Sequence, residues 1–194
     1  MHKKLITSAI VAAGLLLVVG VAPAVADTVN STVSGGSLTA TTSGATLTGV
    51  TLNGTSSQTA SGTASSTWSV TDARGTGAAW TLSVTATTPT SAAGTVETTA
   101  RTIPVGDLTI APGTITASAG SDAVSTTLTA PPSLAVSGSS QALLTSTGSN
   151  KGTYTLTPTF SLLVPENAFR SNWPGAIGTG SLNPYVSTLT YTIG

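Results

Sequence analysis

The sequence predicts an all-β protein, an antiparallel two-sheet β-sandwich of about nine or ten strands. Three observations carry that expectation. Apolar residues recur at every second position in several runs, which places them on one face of a strand. Ser and Thr make up 64 of the 168 residues from Asp27 to Gly194, and Thr suits a pleated, half-wet surface. No stretch beyond residue 26 keeps helical spacing. A strand with one wet face must bury the other against a second layer, hence two sheets.

Residues 1–26 read as a cleaved secretory signal peptide. Lys3 and Lys4 supply the positive start, Leu5 to Val21 is almost wholly apolar, and Ala24-Val25-Ala26 fits small-x-small cleavage. A retained anchor is the competing reading, since this apolar run approaches a membrane span. The small-residue site favours cleavage. The chain 27–194 is then expected to be a single exported domain without a membrane span.

Strand signals follow along this chain. Trp80, Leu82, Val84 and Ala86 alternate with Thr81, Ser83, Thr85 and Thr87. Tyr154, Leu156, Phe160, Leu162 and Val164 alternate with Thr153, Thr155, Thr157 and Thr159. Tyr185, Leu189, Tyr191 and Ile193 alternate with Val186, Thr188, Thr190 and Thr192. Weaker runs cover 47–52, 67–71, 108–116 and 124–129. Gly35-Gly36, Asn53-Gly54, Pro112-Gly113, Gly120-Ser121-Asp122, Pro131-Pro132 and Asn150-Lys151-Gly152 supply the turns between them. Many short strands with frequent turns suit an Ig-like, Greek-key sandwich. Two segments read as loose: a polar loop over 53–66, and a longer excursion over 165–184 that carries Phe169, Arg170 and Trp173. Long aromatic-bearing loops are often functional, and these three residues form a candidate ligand loop; packing of the aromatics on the sheet rim is the alternative.

Composition removes several chemistries. Cysteine is absent, so there is no disulfide, thiol nucleophile, thiolate metal site or lipoprotein anchor. The single histidine, His2, falls in the predicted leader. Four basic residues against six acidic ones give the chain 27–194 a net charge of −2, and four scattered cations cannot build a nucleic-acid stripe. A glycosidase needs two carboxylates about 5–10 Å apart, and no motif pairs Asp72, Glu97, Asp107, Asp122 and Glu166. No Asp-rich loop suits calcium. No catalytic residue, cofactor or metal is expected.

Residues 68–88 read WSVTDARGTGAAWTLSVTATT. Two strands flank a tight turn, Ala73 to Gly77, whose glycines allow positive φ. Asp72 and Arg74 are close enough to brace it. This segment resembles the first motif of the WxL domain family of Gram-positive cell-surface proteins, an Asp-x-Arg-Gly-Thr-Gly turn followed by Trp-x-Leu. The matching residues are Asp72, Arg74, Gly75, Thr76, Gly77, Trp80 and Leu82. The family's second motif, near its C-terminus, is a Tyr followed by a Leu-Thr-Trp-Thr-Leu type strand. Tyr185, Leu189, Tyr191 and Ile193 occupy those positions, with Tyr191 in place of Trp and Ile193 in place of Leu.

The resemblance implies an all-β fold and non-covalent attachment to the cell wall, with peptidoglycan as ligand. The C-terminus carries no Leu-Pro-x-Thr-Gly sorting motif, in keeping with non-covalent attachment. The expected function is that of an exported, non-enzymatic surface protein. A second expectation, of another class, is a structural subunit that docks other surface proteins without touching glycan. Trp80 could stack on sugar rings, but it shares a face with Leu82 and Val84, which favours the core.

Overall fold

The computed structural model describes residues 30–194. The predicted leader, residues 1–26, lies outside the described residues. Alternation organises the described chain into strands: β1 (Leu38–Thr41), β2 (Gln58–Thr63), β3 (Trp68–Asp72), β4 (Trp80–Ala86), β5 (Thr90–Ser91), β6 (Arg101–Thr102), β7 (Leu108–Ala111), β8 (Thr116–Ala117), β9 (Leu128–Thr129), β10 (Leu134–Ala135), β11 (Gln141–Ser146), β12 (Gly152–Leu156), β13 (Thr159–Val164), β14 (Tyr185–Val186) and β15 (Leu189–Ile193). Helix among the described residues is limited to one 3-10 turn, Val105–Asp107. None of it is long and apolar enough to cross a membrane. Nine strands have four residues or more, and six have two. The longer strands match the expected nine or ten in number but not one for one: β1, β2 and β11 were not among the runs read from the sequence.

All pairings are antiparallel, in four sheets with orders β1-β3-β12-β8, β10-β7-β13-β2, β15-β4-β11-β9 and β14-β5-β6. One apolar core joins the first three. Trp68, Val70, Trp80, Leu82, Ile110, Leu144 and Tyr154 are each at most 2% exposed. Aromatic contacts cross between sheets: Trp68 of β3 meets Tyr191 of β15 edge-on at 4.8 Å between ring centres and Phe160 of β13 at 6.2 Å, and Trp80 of β4 lies 6.5 Å from Tyr154 of β12. Such geometry exploits the ring quadrupoles as well as burial.

The outward positions carry the hydroxyls. In the first sheet Thr39, Thr71 and Thr153 stand side by side across three strands, and Thr41, Ser69, Thr155 and Thr116 across four. Thr71 and Thr153 share a hydrogen bond of 2.9 Å. This is the half-wet face that the Thr content implied.

Several expectations need correction. Residues 47–52 form no strand. Thr48 N–H donates to Ser61 O, but Ser61 N–H donates to the Thr48 side-chain oxygen; a hydroxyl replaces the backbone acceptor, so the ladder stops there. The polar loop over 53–66 contains β2, which pairs with β13 over six positions. Its inward residues include Ala60 and Gly62, and the chain at Thr46 passes close to Gly62. A Cβ on Gly62 would collide with the Thr46 carbonyl, so β2 lacks a bulky apolar signature. The run from Tyr154 to Val164 is two strands in different sheets, broken at Pro158, and the run 108–116 likewise divides at Pro112-Gly113 into β7 and β8. Of the run 124–129, only Leu128–Thr129 is strand.

Candidate functional site

The turn after β3 carries the chain from one sheet to another, since β3 and β4 belong to different sheets. Its geometry is built by Asp72, which is 1% exposed. One carboxylate oxygen of Asp72 accepts the Arg74 backbone N–H at 3.0 Å and Nε–H at 2.9 Å, and the other accepts Nη2–H at 2.9 Å. Arg74 Nη2 also donates to Ala78 O at 2.9 Å. Gly75 and Gly77 have φ of 73° and 65°, conformations that cost an L-residue strain. The hydrogen bonds from Arg74 hold the Asp72 carboxyl below its ordinary pKa, against the opposing effect of burial.

Trp80 follows, buried, with its indole N–H toward Asn150 O at 3.4 Å. The Asn150 side chain is in turn an acceptor for Ser146 at 2.8 Å and Thr127 at 2.9 Å. Leu82 is fully buried and faces Ile193 across the β4–β15 ladder. The ladder also sets Tyr191 opposite Val84 and Leu189 opposite Ala86, so both motif strands are neighbours. Tyr191 itself turns to Trp68, not to Trp80. Its hydroxyl is buried without a partner, and burial raises its pKa. Asp72, Trp80, Leu82 and Tyr191 thus shape and fill the fold. None of them faces solvent as a ligand platform.

The segment 165–184 is without strand, as expected, but it is not loose. Arg170 clamps Glu97 through two hydrogen bonds of 2.9 and 2.7 Å, and Glu97 also accepts Trp173 N–H at 2.6 Å. These donors, the guanidinium first, hold the Glu97 carboxyl below its ordinary pKa. Buried Asn172 donates to Ala92 O at 3.0 Å and Thr99 O at 2.8 Å, and its backbone N–H donates to the Ser91 hydroxyl at 2.9 Å. Arg170, Asn172 and the Trp173 N–H fasten the segment to residues 91–99.

A half-open cleft of about 650 Å³ opens beside this segment. Its lining includes Leu47, Val50 and Leu52, the strand residues Phe160, Leu162 and Val164, and Phe169, Arg170, Tyr185 and Leu189. Phe169 is 60% exposed, with the Arg101 guanidinium 4.0 Å from its ring centre, a cation–π contact. Tyr185 O–H donates to Phe169 O at 2.7 Å. The structure therefore joins two groups of residues that the sequence kept apart: Tyr185 and Leu189 of the second motif, and Phe169 and Arg170 of the loop. Trp173 is half-buried and does not line the cleft. The lining from residues 45–52 had no signal in the sequence beyond its alternation.

Chemically the cleft offers apolar and aromatic surface, one guanidinium and a phenol. No carboxylate lines it. Among the described residues no group of three or more Asp, Glu or His is placed to hold a metal ion. Comparison with protein-family models, with curated proteins and with solved structures finds no match for this chain.

Proposed function

We propose that this protein is an exported, non-enzymatic surface protein of the WxL type, held non-covalently on the cell wall by binding peptidoglycan. The observation that carries the reading is the cleft that gathers Phe169, Arg170 and Tyr185. An exposed ring beside a guanidinium and a phenol suits a sugar, whose C–H face needs an aromatic plane and whose polar groups need donors. Arg170 supplies the cationic donor, although its pairing with Glu97 leaves it a positioning element as much as a contact. The fold belongs to the same proposal: the sheets β1-β3-β12-β8 and β15-β4-β11-β9 act as the two layers of an Ig-like sandwich. The Trp68–Tyr191 and Trp80–Tyr154 contacts across the core support that layering.

In this reading Trp80 acts by building the core, and the wall contact is made at the opposite end of the β4–β15 ladder, near Leu189. The test is co-sedimentation of the purified protein with protein-free peptidoglycan sacculi. The Phe169→Ala variant should stay largely in the supernatant while keeping the wild-type circular dichroism. Binding should change little with ionic strength, because a net charge of −2 offers no attraction to anionic wall polymers. Undiminished retention of Phe169→Ala, or steep loss of binding with salt, would overturn the reading. A protein that ignores sacculi but captures one polypeptide from an envelope extract would favour the docking-subunit alternative.

A further inference from the structure

Sheet edges expose unpaired backbone groups, and proteins shorten, cover or charge them to prevent unwanted pairing. Most edges here are treated in this way. β8, β9 and β10 are two residues long, and β2 is covered by the chain at Thr48. β15 is different. Its five residues, Leu-Thr-Tyr-Thr-Ile, hold no charge and no proline, and they pair with β4 without a bulge.

The hydrogen-bond phase shows what this strand presents outward. Gly194 and Thr81 exchange both backbone bonds, at 2.7 and 3.2 Å, and Thr87 N–H donates to Thr188 O at 2.9 Å. Antiparallel ladders alternate, so Thr190 and Thr192 point their backbone groups at β4. Leu189, Tyr191 and Ile193 point theirs away from it. Among the described residues no other strand and no loop takes up these groups.

We propose that β15 is a dimerisation edge, pairing antiparallel with β15 of a second copy about a twofold axis at Tyr191. The strand is palindromic in chemical type: apolar, Thr, Tyr, Thr, apolar. About that axis Leu189 faces Ile193 of the second copy, and Tyr191 faces Tyr191. Thr190 faces Thr192 on the solvent side. Every outward N–H meets an outward C=O, every apolar residue meets an apolar or aromatic one, and each threonine meets a threonine, a favourable set of cross-strand pairs. The contact is isologous and closes after two copies. It creates one eight-stranded sheet in the order β9-β11-β4-β15-β15-β4-β11-β9. A charged partner strand would find no complement on this edge, whereas a second copy matches it at each position. This inference rests on the edge geometry and not on wall binding, although Leu189 borders both surfaces.

The experiment is sedimentation equilibrium of the purified protein across micromolar to near-millimolar concentration. The expected result is a reversible rise to twice the chain mass. Thr190 and Thr192 are exposed, so charges there leave the core alone. The double variant Thr190→Lys with Thr192→Lys sets like charges opposite each other at two positions and should weaken the dimer about tenfold. Thr190→Glu with Thr192→Glu should do the same, and mixing the two variants should restore a mixed dimer. The single-chain combination Thr190→Lys with Thr192→Glu places opposite charges in register and should remain dimeric. A protein that stays monomeric throughout overturns the proposal. So does a Lys double variant that dimerises like wild type, or a mixture that fails to associate.

Discussion

Tyr191→Phe is expected to stabilise the protein. The Tyr191 ring contributes through its edge-on contact with Trp68 at 4.8 Å, and Phe preserves that contact. The hydroxyl contributes nothing in return for its burial, because it has no hydrogen-bond partner. A buried, unpaired polar group costs roughly 1–3 kcal/mol in lost hydration. Phe at this site removes that cost and leaves a gap smaller than a methyl group, so the net gain should be about 1–2 kcal/mol. For a domain of this size each kcal/mol moves Tm by about 2–4 °C, so the variant should melt about 2–8 °C above wild type. Urea unfolding should give a higher midpoint with an unchanged m-value, because the surface exposed on unfolding hardly changes. Tyr191→Ala is the control: it removes the ring and should cost about 3–5 kcal/mol. A Tyr191→Phe variant less stable than wild type by about 1 kcal/mol or more would mean that the hydroxyl is satisfied, and the argument from its isolation would fall.

Other consequences follow from the same geometry. Trp80→Ala should lower stability by about 3–5 kcal/mol in urea unfolding, because the indole is 2% exposed; a loss of sacculus binding with unchanged stability would contradict its place in the core. Asp72 has a folded pKa below its ordinary value of 3.8, so its contribution is present above that value and is lost as pH falls through the lower folded one. Asp72→Asn should therefore lower stability at neutral pH and flatten the acid limb below about pH 4. Part of that limb should remain, since Glu97, Asp122 and Glu166 are shifted the same way; an acid limb identical to wild type would refute the assignment. Asn172→Ala should release the segment 165–184 from Ala92 and Thr99, read as faster proteolytic cleavage within it at unchanged pH.

Particular residues show why some features were readable in advance. Trp80, Leu82, Val84 and Ala86 repeat at a period of two, and β4 buries all four. The same logic located β3, and it found β12 with β13 and β14 with β15 as continuous runs that the structure divides between sheets. It failed at β2, where close approach of the chain at Thr46 demands Gly62 and so weakens the apolar signal. It failed in the opposite sense at 47–52, where alternation is present but the Thr48 hydroxyl takes a bond that a strand would give to its backbone. The site was legible only in pieces. Phe169 and Tyr185 are separated along the chain, and nothing local indicates that the Tyr185 hydroxyl reaches Phe169 O.

The sequence by itself determined that the chain is built of β-strands, that its turns fall at glycine and proline pairs, and that the motif turn is braced by Asp72 and Arg74. These properties depend on residues a few positions apart, and the chain carries them wherever it goes. Tertiary structure alone decided that β3 and β4 join different sheets, that Glu97 and Asn172 tether the long segment, that the cleft forms where 45–52 meets 182–189, and that Leu189, Tyr191 and Ile193 face outward. Each depends on contacts between distant segments, which backbone pairing and core packing select together and which no local pattern encodes.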